Sequence, residues 1–163
     1  MEEIKIRKAV EADVPQFLKL LSQVNLIHHQ GRPDLFSLGQ KYTAQELKAL
    51  MANSETPILV AADAQSDQCL GYAMCQLEHY GNEGHIQVPR TTLYLDDLCV
   101  DQQARGRHVG STLYRACLEL ARQLGCHNLT LHAWTCNPGA VAFYEHMGMH
   151  PYLQAMETIV DEK

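Results

Sequence analysis

No apolar run in this 163-residue chain reaches the ~18 residues that a membrane-spanning helix needs. The opening residues, Met-Glu-Glu-Ile-Lys-Ile, lack the basic start and apolar core of a secretion signal. A cytoplasmic protein with no membrane partner is expected. The cysteines (Cys69, Cys75, Cys99, Cys117, Cys126 and Cys136) include no C-x-x-C pair, and no two histidines stand four apart on a predicted helix. A metal site is therefore not expected, and the cysteines read as reduced thiols, several of them core residues. Positive charge is also scarce. Lys and Arg number 13 against 19 Asp and Glu, a net charge of −6. That balance disfavours nucleic acid as a partner and tolerates a cationic substrate. No repeat, low-complexity tract or linker interrupts the chain, so one domain over residues 1–163 is expected.

What is present alternates between strand and helix patterns. Ile4 to Lys8 alternates apolar and charged residues, as a strand does. Val14, Phe17, Leu18, Leu21 and Val24 recur at helical spacing, and that helix ends by Gly31. "HHQGRPDLF" reads as a loop. Thr43 and Glu46 have the spacing of a capping box opening a short second helix. "PILVAAD" and "CLGYAMCQLEHY" read as an antiparallel hairpin, residues 81–90 as a polar loop, and "TTLYLDDLCV" as a further strand. Val109, Leu113, Ala116, Cys117, Leu120, Ala121 and Leu124 line one face of the clearest helix, closed by Gly125. "HNLTLHAW" is another strand. Asn137-Pro138 supplies an N-cap and a first-turn proline for a last helix ending at Gly148. "MHPYLQAMETIV" closes the chain with one or two strands. The order implies an α/β (α+β layered) domain with a mixed sheet.

The chemistry gathers around "DQQARGRHVGSTL". A helix N-terminus leaves N–H groups unpaired and carries partial positive charge, which attracts phosphate. Gly106 and Gly110 let backbone approach a ligand, and Arg105 and Arg107 add charge suited to phosphate. The spacing is not a Walker loop, since no Lys precedes Ser111-Thr112. It is not the G-x-G-x-x-G dinucleotide fingerprint either.

This stretch resembles the Arg/Gln-x-x-Gly-x-Gly/Ala loop of the GNAT superfamily, the acyl-CoA-dependent N-acetyltransferases. Two registers fit: one starts at Gln103, the other at Arg105. The apolar Val109 before the last glycine and Leu113 three residues after it favour Arg105-Gly106-Arg107-His108-Val109-Gly110, with His108 in the middle glycine slot. "NPGAVAFYEHMGM" is similar to the superfamily's N-x-x-A-x-x-F-Y-x-x-x-G-F segment, at the expected separation.

The resemblance implies a GNAT-like, mostly antiparallel sheet of six to seven strands flanked by about four helices. It implies acetyl-CoA as cosubstrate, no metal, and a homodimer by analogy. Backbone groups of the strand at Leu98, Cys99 and Val100 would hold the pantetheine arm. N–H groups from Arg105 through Gly110 to Ser111 would hold the pyrophosphate. Asn137 would contact CoA, and Tyr144 would reprotonate the leaving thiolate. "YLDDLCV" resembles the Y-L-E-D strand of the polyamine acetyltransferase branch, so Asp96 and Asp97 are both candidates for the base and Asp96 also for a substrate contact. Adjacent strand residues face opposite sides, so only one of them is expected to look into the cleft. His28, His29 and Asp34 fall in the loop that walls the acceptor site in this superfamily. The implied function is transfer of an acetyl group to a primary amine, a small molecule, by direct attack in a ternary complex. A peptide acetyltransferase, a non-catalytic acyl-CoA sensor and a binding module for another phosphate ligand are the alternatives.

Overall fold

A computed structural model describes residues 3–81, 84 and 86–160. The expected polar loop at 81–90 includes residues 82, 83 and 85, and the expected signal-free start includes residues 1 and 2; these lie outside the described residues. Strand β1 (Ile4–Lys8) leads through a 3-10 turn into helix α1 (Val14–Gly31), then α2 (Ala44–Ala52). Three strands follow, β2 (Ile58–Asp63), β3 (Cys69–Tyr80) and β4 (Arg90–Val100), then α3 (Val109–Gln123), β5 (Asn128–Thr130) and α4 (Pro138–His146). The strands lie in chain order β1-β2-β3-β4-β5. The first three pairings are antiparallel, and β4 pairs β5 in parallel. This is the mixed, mostly antiparallel sheet with four helices that was expected.

Both faces of the sheet are covered. Phe17, Leu20 and Leu21 of α1 and Leu47 of α2 pack on Val60, Tyr72, Met74 and Cys99. Val109, Leu113, Cys117 and Ala121, the predicted stripe of α3, pack on Ala73, Leu93 and Leu95. Burying each large side chain contributes about 2 kcal/mol. Cys69, Cys75, Cys99 and Cys117 are buried and unbridged, as the reading as reduced core thiols expects. The capping box also forms. Thr43 Oγ1 accepts from the Glu46 N–H at 3.2 Å, and the Glu46 carboxylate accepts from the Thr43 N–H at 2.7 Å.

Four expectations are corrected. Among the described residues the sheet has five strands, not six or seven. "HNLTLHAW" yields only Asn128–Thr130, because the chain leaves β4 after the Tyr94–Thr130 pair. Residues 149–159 form no strand, and residues 151–160 are exposed; Pro151 lacks a backbone donor there. The loop expected at "HHQGRPDLF" begins later, since His28 to Gly31 complete the last turn of α1.

Candidate active site

The parting of β4 and β5 makes the cleft. Their pairing stops at Tyr94–Thr130, yet β4 continues to Val100. Residues 95–100 therefore have β3 on one side and, among the described residues, no strand on the other. Unpaired backbone of an extended strand offers N–H and C=O groups to an extended ligand. Leu98, Cys99 and Val100 lie on this stretch.

The next turn brings α3 to the end of that edge. Asp101 fixes it: its carboxylate accepts from Gln16 Nε2 and Lys19 Nζ, each at 2.8 Å, and from the Gln103 N–H at 3.0 Å. Lys19 holds that carboxyl below its ordinary pKa. After Gly106, at φ 76°, comes His108, at φ 62° and ψ 14°, as the N-cap of α3. The His108 backbone is left-handed, the conformation a glycine slot provides. No side chain caps α3, and the Ser111 and Thr112 hydroxyls turn back to donate to the His108 carbonyl, each at 2.9 Å. The helix thus presents amide groups that a side-chain cap would otherwise occupy, which suits a pyrophosphate. Arg105 and His108 are exposed, and the Arg107 guanidinium lies 4.0 Å from Asp63. Gly110 is not left-handed. A Cβ there would sit 3.4 Å from the Phe143 ring and 3.6 Å from Val100 Cγ2, so its smallness serves packing against α4 and β4.

Replacing His108 by glycine tests this geometry. Relief of left-handed strain, ~1 kcal/mol or more, opposes the extra entropy of an unfolded glycine, roughly 0.5–1 kcal/mol. His108→Gly is expected to match or exceed wild-type Tm and to bind acetyl-CoA within about threefold, since ~0.7 kcal/mol covers that range. A tenfold loss of affinity in calorimetry would assign the imidazole itself to the ligand.

Asp96 and Asp97 break the rule of alternating faces through a β-bulge. Leu95 pairs with Cys75 and Asp97 with Met74, leaving Asp96 as the extra residue. In a regular strand Leu93, Leu95, Asp97 and Cys99 would share one face. The bulge switches the parity, so Asp97 and Cys99 turn to the α1–α2 side while Leu98 and Val100 stay with α3. Both carboxylates then converge. Lys41 Nζ, from the α1–α2 connection, donates to Asp96 Oδ2 and to Asp97 Oδ2, each at 2.8 Å. Tyr42 Oη also donates to Asp96, at 3.0 Å. The expectation that only one aspartate faces the cleft is thereby corrected.

The two differ in burial: the Asp97 side chain is 12% exposed, that of Asp96 27%. Burial pushes the Asp97 carboxyl above its usual range, and Lys41 pulls it part of the way back. Burial alone would lower the Lys41 ammonium, but Asp97 and Asp96 more than reverse this. Tyr42 is pushed up to about 12, chiefly by burial and Asp96. A small cleft beside Asp96 is lined by Tyr42, Leu50, Thr56, Ile58, Met74 and Gln76.

The remaining candidates divide. His28 meets the Phe36 ring at 5.0 Å between centroids, and its pKa is lowered by burial and by the charge of Lys41. Phe36 in turn meets Trp134 edge-on at 5.0 Å, closing one wall. His29 Nδ1 instead lies 2.6 Å from the Phe36 carbonyl and pins the loop. Asp34 is exposed and accepts from Arg32 at 2.7 and 2.9 Å, away from the pair. Arg32 also pairs with Glu157 of the C-terminal segment. Asn137 Oδ1 caps α4, accepting from the Ala140 N–H at 3.3 Å. Tyr144 packs beside Phe143, at 5.1 Å, and Tyr114, at 6.5 Å. Its phenol pKa is raised by burial, then by the charges of Cys99 and Asp97, so the hydroxyl stays protonated.

Sequence reasoning missed Lys41 and Tyr42, since a lysine before a capping box carries no signal of its partner. The bulge did leave a signal: the apolar residues of β4 change parity, from 93 and 95 to 98 and 100.

Comparison with known proteins agrees with this geometry. Residues 24–149 match the acetyltransferase (GNAT) family. A glucosamine 6-phosphate N-acetyltransferase from Oryza sativa is 29% identical over 153 residues, covering 90% of this chain and 81% of that protein. A thialysine N-epsilon-acetyltransferase from Bos taurus is 25% identical, covering 95% and 89%. The structure of a tetramutant of the BH1408 protein from Bacillus halodurans superposes with a TM-score of 0.90 at 25% identity, covering 96% of this chain and 99% of that one. Among the described residues, no helix is long and apolar enough to cross a membrane, and no group of His, Cys, Asp and Glu side chains is placed to hold a metal. The chain belongs to the acetyltransferase (GNAT) family and is an acetyl-CoA-dependent N-acetyltransferase.

Proposed function

We propose that this enzyme moves the acetyl group to a primary amine of a small molecule by direct attack in a ternary complex. The observation that carries this reading is the convergence of Asp96 and Asp97 on β4, whose edge from residue 95 onward has, among the described residues, no strand beside it. Acetyl-CoA supplies an activated thioester when bound. The N–H groups from Arg105 to Ser111 bind its pyrophosphate, and the backbone of Leu98 to Val100 aligns its arm and polarises the carbonyl. An amine reaches the site mostly as ammonium and cannot attack until it loses a proton. Asp97 takes that proton, directly or through water, and its raised pKa brings it nearer to the amine's. Asp96 holds the acceptor, with His28 on the facing wall. Tyr144 keeps its proton for the departing sulfur.

The relatives' names favour a small acceptor, a sugar phosphate in one and an amino acid in the other. The test is an acetyl-transfer panel of thialysine, glucosamine 6-phosphate, a polyamine and a peptide with a free N-terminus. Transfer to a small amine is expected. Transfer to the peptide alone would overturn the small-molecule reading, and acetyl-CoA binding without transfer to any amine would make the chain a sensor.

A carboxylate base works only when deprotonated, so kcat/KM should rise with pH through the Asp97 pKa, which lies above the ordinary carboxylate value. Asp97→Asn is expected to remove that acid limb and to lower kcat by at least about a hundredfold. A retained limb would move the role to Asp96 or to water.

A further inference from the structure

Lys41 stands where the chemistry just described requires a substrate. Its ammonium lies 2.8 Å from Asp96 and 2.8 Å from Asp97, the two carboxylates that the β4 bulge turns to one side. A cation between two adjacent carboxylates, one of them largely buried, offsets their mutual repulsion. An acceptor that hands its proton to Asp97 is itself a primary ammonium and needs the same place. Lys41 also reaches the pair from a partly exposed position. It sits in the non-helical connection after α1, its neighbours Ser37 to Gln40 are exposed, and its own side chain is 41% exposed. Tyr42, by contrast, anchors the next residue to Asp96 through its hydroxyl. Swinging the Lys41 side chain into water therefore disturbs little else.

We propose that Lys41 is a resident counter-ion of the acceptor subsite: its ammonium fills the place of the acceptor's, and the acceptor must displace it before reaction. The inference rests on the proposed function for the word acceptor, but not for the ammonium subsite itself. Lys41 is a specificity residue. It raises the acceptor concentration needed for turnover, and it offsets part of the charge of the carboxylate pair between turnovers. The acceptor's apparent dissociation constant is its intrinsic value divided by the fraction of molecules in which Lys41 has swung out.

Two measurements test this. The first needs no turnover. Lys41→Ala leaves a gap of the size of an alkylammonium, so n-propylammonium chloride should raise the Tm of that variant above its value in sodium chloride of equal ionic strength. The wild type should not respond. An equal response in both proteins overturns the subsite. The second uses whichever amine of the panel turns over fastest. Lys41→Ala should lower its KM about tenfold, as expected for a latch closed about nine-tenths of the time, with kcat and the KM for acetyl-CoA little changed. Lys41→Arg, whose fork grips two carboxylates more firmly, should raise the acceptor KM, and it serves alone if the alanine variant does not fold. An acceptor KM that is unchanged in both variants, or that rises in Lys41→Ala, overturns the displacement. Rescue by propylammonium without acetyl transfer by the wild type would overturn the catalytic reading and reduce Lys41 to a structural ion pair.

Discussion

Tyr144→Phe is expected to lower kcat about a hundredfold while leaving acetyl-CoA affinity within about twofold. The substitution removes one oxygen and keeps the ring, so the contacts with Phe143 at 5.1 Å and Tyr114 at 6.5 Å persist and α4 stays in place. What is lost is a proton donor for the departing sulfur. Positioned acids contribute roughly 10²–10⁴ in rate, and the lower end is expected here for a physical reason. Burial lifts the phenol above its ordinary value of ~10, further from a thiol's pKa, so the donor is certain to be protonated but is a weaker acid than a free tyrosine. A hundredfold corresponds to about 2.7 kcal/mol of transition-state stabilisation. Steady-state kinetics with thiol detection, paired with calorimetric titration of acetyl-CoA, separates the two effects. Unchanged turnover would remove Tyr144 from the mechanism, and a parallel loss of affinity would make it a packing residue.

Gly110→Val should abolish measurable acetyl-CoA binding, whereas Gly110→Ala should retain it. A Cβ at this position meets the Phe143 ring at 3.4 Å and Val100 Cγ2 at 3.6 Å, which is ordinary contact. The two further methyls of valine extend ~1.5 Å beyond it, into those same groups. Such overpacking costs roughly 1–3 kcal/mol. It acts on the first turn of α3, whose amides are to face the pyrophosphate, and on Phe143, which adjoins Tyr144. Thermal shift with acetyl-CoA reads both outcomes: a folded Gly110→Val variant with no shift is expected. A normal shift would place the loop's critical glycine elsewhere, in the register that starts at Gln103.

The candidate site was legible in part. The loop at Arg105 to Gly110 and the segment from Asn137 to Tyr144 could be picked out because each is a local pattern: an N-terminus with its cap, a glycine, an apolar stripe. Asp96 and Asp97 stood out as carboxylates in an apolar strand. Their convergence did not, because alternation predicts opposite faces and only a pairing shift against Met74 and Cys75 overrides it. Likewise His28 and His29 looked equivalent as neighbours, yet one meets the Phe36 ring and the other the Phe36 carbonyl. Asp34 looked like an acceptor contact, but Arg32, two residues away, takes its carboxylate.

By itself the sequence determined the helices, their caps and the order of the elements. Capping boxes, apolar stripes and glycine stops act over a few residues, and the Thr43–Glu46 exchange forms as its spacing requires. Only the tertiary structure decided how far β5 follows β4, that residues 149–159 add no strand, that His108 takes a left-handed backbone, and that Lys41 lies between two carboxylates 55 and 56 residues away. Strand register and charge pairing are set by packing between segments far apart in the chain. The energies that choose among them belong to contacts that no window of local sequence contains.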